Sequence, residues 1–140
     1  PKTSSAASDV YKRQTGYLVF SPGGKVGEVG QADLVESGQE DLVRSYAITA
    51  HMFGFKILYL EAGSGAQTQV DRESILAARE TEELCLIVGG GIRTREQAAY
   101  ASNAGANWIV TGTLTEDAAD MDDLRNKISE VVSGIQSSSS

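Results

Sequence analysis

Apolar and polar positions fall into blocks that repeat four times along this chain. Each time, a short apolar run ends in glycine or small polar residues, and a longer stretch with apolar residues at helical spacing follows. Gly16–Ser21 (GYLVFS), Phe55–Leu60 (FKILYL), Leu84–Val88 (LCLIV) and Trp108–Val110 (WIV) read as strands. Gln39–Phe53 puts Leu42, Val43, Tyr46, Ala47 and Ala50 on one helical stripe, and Gly54 closes it as a C′ glycine. His51 falls near that end, where a histidine suits the helix dipole. The stretch from Asp71 to Glu82 predicts a helix with Ile75, Leu76 and Ala78 buried and Thr68 or Asp71 as its cap. Alanine-rich Arg95–Asn103 predicts a third helix, ended by Gly105. Asp122–Ile135 predicts a fourth, with Leu124, Ile128, Val131, Val132 and Ile135 as its stripe. Lys25–Gly30 (KVGEVG) reads as a plain surface loop first and a mobile or ligand-facing one second, and Gln31–Ser37 has no clear pattern.

Strands alternating with helices predict an α/β fold with parallel strands and right-handed crossovers. Four such units suit either a small open sheet or half of an eight-fold barrel, and both architectures place their sites after the strands. The four units occupy 15–136. Residues 1–14 are expected to be a non-native or disordered leader, because Ser4–Gln14 (SSAASDVYKRQ) looks like a translated sequencing adapter. Residues 137–140, all serine, read as a solvated tail.

The residues following the strands carry the candidate chemistry. After Val88 come Gly89, Gly90 and Gly91, and Thr94 with Gln97 has the spacing of a capping box. Strand, bare backbone and helix N-terminus suit a phosphate, because unpaired N–H groups and the positive end of a helix dipole converge there. A tight strand-to-helix turn with no ligand explains the same residues equally well. Glu61, at the end of the second strand before Ala62-Gly63-Ser64-Gly65, is placed to face a ligand, and Tyr59 shares its strand face by period two. The last strand delivers Thr111-Gly112-Thr113. In a barrel the loops after strands seven and eight often bind phosphate, which favours reading these strands as five to eight.

Charge narrows the partners. The formal net charge is −7, which argues against nucleic acid, since that needs a basic footprint. An anion would have to be held by local N–H groups against the overall field. Discounting the leader removes three positive charges and one negative, leaving the rest more acidic still. No apolar run approaches the roughly 20 residues of a membrane span. The single cysteine, Cys85, cannot form an internal disulfide and suits a reducing, cytoplasmic setting.

Three motifs then carry a family resemblance. YLEAGSGA at Tyr59–Ala66, IVGGGIRT at Ile87–Thr94 and IVTGT at Ile109–Thr113 resemble archaeal geranylgeranylglyceryl phosphate synthase, and YLVFSPGGKVGEVG at Tyr17–Gly30 resembles its fifth strand and following loop. One departure is Ser21 before Pro22, where the family often carries an acidic or amide residue. The resemblance implies the C-terminal half, strands five to eight, of a TIM (β/α)8 barrel, since a whole barrel needs roughly 250 residues. It implies a prenyltransferase that joins sn-glycerol 1-phosphate to geranylgeranyl diphosphate in archaeal lipid synthesis. It further implies that Tyr59, Leu60, Glu61, Ala62, Gly63, Ser64 and Gly65 wrap the glycerol phosphate. Glu61, with Tyr59, would orient or deprotonate the attacking hydroxyl, and Gly89, Gly90, Gly91, Gly112 and Thr113 would hold the phosphate. Mg2+ would assist loss of diphosphate, with its ligands in the N-terminal half and none in this chain. A homo-oligomer is implied for the full-length enzyme, and little catalysis is expected from half a barrel alone. Two alternatives remain: another phosphate-binding barrel isomerase, lyase or synthase, and a non-catalytic half-barrel that pairs with a second copy.

Overall fold

A computed structural model describes residues 14–30 and 33–137. The expected leader, up to residue 13, and the tail at 138–140 lie outside the described residues. Four strands form one parallel sheet in sequence order: β1 (Thr15–Val19), β2 (Ile57–Glu61), β3 (Cys85–Gly89) and β4 (Trp108–Val110). The principal helices are α2 (Glu40–Met52), α3 (Arg72–Arg79), α4 (Arg95–Asn103) and α6 (Met121–Ser137), and two short ones, α1 (Gly24–Gly30) and α5 (Thr113–Glu116), follow β1 and β4.

The register explains how one sheet can have two unlike faces. Tyr17, Tyr59, Ile87 and Trp108 pair across the four strands as one row, and Val19, Glu61, Gly89 and Val110 form the next row on the same face. The alternate residues Leu18, Leu58, Leu60, Leu86 and Val88 are buried in a core shared with Val43 and Ala47 of α2, Ile75 and Ala78 of α3, and Ala98 and Ala101 of α4. The first row of that face stays open at its ends, with Tyr17 48% and Trp108 66% exposed, while Val19 and Glu61 of the next row are buried. Parallel sheets are as a rule covered on both faces, so this one is unpartnered among the described residues. At the far end of β1 the chain returns, and Val35 donates its N–H to the Val19 carbonyl and accepts from Ser21.

Local signals explain the starts of two helices. Asp71 caps α3 by accepting the Ser74 N–H at 2.9 Å. Thr94 and Gln97 form the capping box of α4: the Gln97 side-chain oxygen accepts from the backbone of Thr94, and the Thr94 hydroxyl accepts the Gln97 N–H. Gly134 of α6 lies against the Arg95 carbonyl at the start of α4, where a methyl group would not fit.

Packing overturns several expectations. The segment Lys25–Gly30 is the helix α1 rather than a loop. Leu34 folds over Gly23 and Gly27, in the space their side chains would take, so glycine serves the contact here instead of breaking the helix. The second strand starts at Ile57, not Phe55, and α3 stops at Arg79, not Glu82. Leu42, Tyr46, Leu76, Ile128 and Val132 are exposed instead of buried. Each stripe is wider than the strip that neighbouring elements cover, so its outer positions remain in solvent.

Candidate functional site

Glu61 is the last residue of β2 and is buried, 7% exposed. A carboxylate there needs partners. Its Oε1 accepts the Gly63 N–H at 2.7 Å, and its Oε2 accepts the Tyr17 hydroxyl at 3.4 Å. Tyr59, two residues earlier on the same face, also turns its hydroxyl toward Glu61 and stacks on Tyr17 with ring centroids 4.6 Å apart. Burial first, and the Glu61 charge second, push the Tyr59 phenol well above the ordinary tyrosine value, and the same two causes raise Tyr17. Both hydroxyls therefore remain donors over the physiological range.

The turns after the strands interlock through their glycines. The space a side chain would need at Gly89 is filled by the Tyr59 hydroxyl, at Gly90 by the Glu61 carboxylate and the Gly63 backbone, and at Gly91 by the Thr68 carbonyl. Gly90 and Gly91 also have positive φ, 85° and 71°, which glycine adopts without strain. Gly63 abuts the backbone of Gly23 and Gly24 in the turn after β1. The expectation that the triple glycine bares backbone for a ligand is therefore corrected in part: at these positions the missing side chains admit neighbouring loops. Gly112 differs, because a methyl group there would meet open space.

A cleft of about 90 Å³ lies among these turns, lined by Glu61, Ser64, Gly65, Gly90, Gly91, Ile92, Val110, Thr111, Gly112 and Thr113. That is several times the roughly 10–15 Å³ needed by one water on the same measure. The N–H groups of Gly91 and Gly112 donate to no protein acceptor among the described residues. One carboxylate, free N–H groups and small residues make a site for a hydroxyl-bearing anion. Of the residues singled out from sequence, Glu61, Ser64, Gly65, Gly90, Gly91, Gly112 and Thr113 line the cleft. Tyr59, Gly63 and Gly89 support Glu61 from beside it. Leu60 points into the core and Ala62 is buried, so neither lines the cleft.

Two participants were missed from sequence, and a third, Thr111, was named there only as part of the turn after the last strand. Tyr17 reaches Glu61 only because β1 and β2 pair in this register. Arg93 donates to the Ala66 carbonyl at 3.0 Å and ties the turn after β2 to the turn after β3. Thr111 lines the cleft, and its hydroxyl is buried without a partner among the described residues. Its position inside the IVTGT motif was the available signal.

Comparisons with known proteins bear on the same residues. The model of the PcrB family matches residues 3–134. The geranylgeranylglyceryl phosphate synthase of Methanothermobacter thermautotrophicus is 44% identical over 122 residues, 87% of this chain and 49% of that protein. That of Thermococcus gammatolerans is 43% identical over 120 residues, 86% of this chain and 48% of that protein. The chain thus spans about half the length of the curated relatives it matches. The crystal structure of (S)-3-O-geranylgeranylglyceryl phosphate synthase from Thermoplasma acidophilum, in complex with substrate sn-glycerol-1-phosphate, is similar at a TM-score of 0.84. It is 37% identical, over 96% of this chain and 55% of that chain.

Proposed function

Because this chain belongs to the PcrB family, we propose that it carries the sn-glycerol 1-phosphate site of a geranylgeranylglyceryl phosphate synthase-like prenyltransferase. The observation that carries the reading is the buried Glu61 carboxylate, facing a cleft whose other walls are the turns at Gly90–Gly91 and Gly112–Thr113. Similarity over nearly the whole chain to an enzyme solved with sn-glycerol-1-phosphate supports the ligand. In this reading the N–H groups of Gly91 and Gly112 and the Thr113 hydroxyl hold the phosphate. Glu61 binds the glycerol hydroxyls and orients, or accepts the proton of, the one that attacks geranylgeranyl diphosphate. A C–O ether bond forms and diphosphate leaves.

The same reading makes the chain the C-terminal half of a barrel, strands five to eight, with the open face of Tyr17 and Trp108 turned toward the lumen and the unpaired flanks of β1 and β4 as its seams. The residues lining the cleft do not fit a Mg2+ site. Glu61 is the only carboxylate among them, and no three His, Cys, Asp or Glu gather for a metal among the described residues. By the family resemblance, the Mg2+ ligands belong to elements outside these four units. A cytoplasmic, homo-oligomeric enzyme completes the proposal; among the described residues no helix is long and apolar enough to cross a membrane.

Titration calorimetry of this chain with sn-glycerol 1-phosphate tests the site. Saturable binding that Glu61→Gln weakens is the expected result. Binding of a pentulose phosphate in place of the glycerol phosphate would shift the reading to a sugar-phosphate isomerase or lyase. Prenyl transfer to labelled glycerol phosphate, assayed after joining this chain to the N-terminal half of a relative, tests the reaction; no product would sink it.

A further inference from the structure

Tyr17 lies on β1, outside the turns that form the cleft, yet it contacts the carboxylate on which the site depends. It pairs with Tyr59 across the sheet, while Glu61 pairs with Val19 one row further on. The Tyr17 hydroxyl therefore reaches Glu61 diagonally, within the range of long side chains. The two oxygens of Glu61 have different supports. Oε1 is held by the Gly63 N–H and backed by Gly90, both parts of the backbone. Oε2 is met by the Tyr17 hydroxyl, whose ring stacks on Tyr59, two residues before Glu61 on the same strand face. Rotation about the Glu61 side chain is thus limited by backbone on one side and by a stacked phenol pair on the other. Tyr17 is 48% exposed, so its ring is not explained by core filling, and phenylalanine would stack on Tyr59 equally well. What only tyrosine supplies is the hydroxyl.

We propose that Tyr17 is a positioning residue of this site: its hydroxyl sets the direction of the Glu61 carboxylate toward the ligand's hydroxyl groups. The inference rests on Glu61 being the carboxylate that binds the polyol. At 3.4 Å the Tyr17–Glu61 bond is long for an O–H···O contact, as such bonds often are before a ligand is seated, and it is expected to shorten on binding.

The test uses this chain with Tyr17→Phe, which keeps the ring and removes the hydroxyl, and with Glu61→Gln. Without ligand, spectra of the chain labelled with 13Cζ-tyrosine identify the Tyr17 resonance by its loss in Tyr17→Phe. Glu61→Gln is expected to move that resonance. With ligand, titration calorimetry with sn-glycerol 1-phosphate is expected to show Tyr17→Phe binding about three- to tenfold more weakly, the scale of one net hydrogen bond. Its circular dichroism and unfolding midpoint should match the parent. A Tyr17 resonance unmoved by Glu61→Gln would overturn the inference, as would Tyr17→Phe binding as tightly as the parent. No binding by the parent chain, with the resonance still coupled to Glu61, would overturn the glycerol-phosphate reading and leave the Tyr17–Glu61 pairing supported.

Discussion

The hydroxyl of Tyr59 occupies the space that a side chain at position 89 would need: a methyl group built on Gly89 would overlap it. Glycine at the end of β3 thus belongs to the support of Glu61, one strand away. Gly89→Ala is expected to displace the Tyr59 phenol, with a cost of about 1–3 kcal/mol typical of overpacking and at least tenfold weaker binding of sn-glycerol 1-phosphate. The double variant Gly89→Ala/Tyr59→Phe removes the atom in conflict. Chemical denaturation of the two single variants and the double should give a cost smaller than the sum of the singles.

Glu61→Gln tests binding against folding. An amide oxygen can still accept the Gly63 N–H, so stability should change by no more than about 1 kcal/mol, the scale of one net hydrogen bond. Affinity for the glycerol phosphate should fall by tenfold or more. Calorimetry and denaturation on the same preparation separate the two effects.

The tyrosine pair predicts an alkaline limit. Burial and Glu61 raise the Tyr59 phenol above its ordinary value of 10.0. The neutral form is therefore favoured in the folded state. Its contribution is complete below about pH 10, where the unfolded chain is also protonated, and declines above that as the unfolded chain ionises first. Denaturation between roughly pH 8 and 11 should show a fall in stability that Tyr59→Phe reduces.

Gly134→Ala should disturb helix packing without touching the cleft. A methyl group at this position of α6 would run into the Arg95 carbonyl, backbone that cannot swing aside. A loss of about 1–3 kcal/mol is expected, measurable as a lowered denaturation midpoint.

Trp108 is the only tryptophan in the chain and stands 66% exposed on the open face of the sheet. If that face is the lumen of a barrel, supplying the complementary half should bury it. Its fluorescence should then shift to shorter wavelength and become less accessible to quenchers. An emission spectrum unchanged in a closed, active full-length protein would contradict the half-barrel reading.

Much of the fold was legible because its signals are local. Four short apolar runs, each ended by glycine or small residues, mark the strands, and Thr94 with Gln97 marks the start of α4 to the residue. Parallel order follows from the alternation of strand and helix, since each crossover must return the chain to the same end of the sheet. Glu61 and the turns at Gly90 and Gly112 could be named as candidates, and they do line the cleft, because each stands at or just after the end of a strand.

What the chain alone left open depends on contacts distant in sequence. Glycines in KVGEVG signal a loop by propensity, and Leu34 folding over them makes α1 instead. Apolar stripes locate the inner side of a helix, while the extent of the elements packed against it decides that Leu42 and Val132 stay in solvent. Period two along β2 put Tyr59 beside Glu61; only the pairing of β1 with β2 brought Tyr17 to the same carboxylate, 44 residues away in sequence. The triple glycine at the end of β3 was visible from the start, but what fills its space was not. Sequence identifies a residue without a side chain, and only the packed structure shows that Tyr59, Glu61 and Thr68 fill the space it leaves.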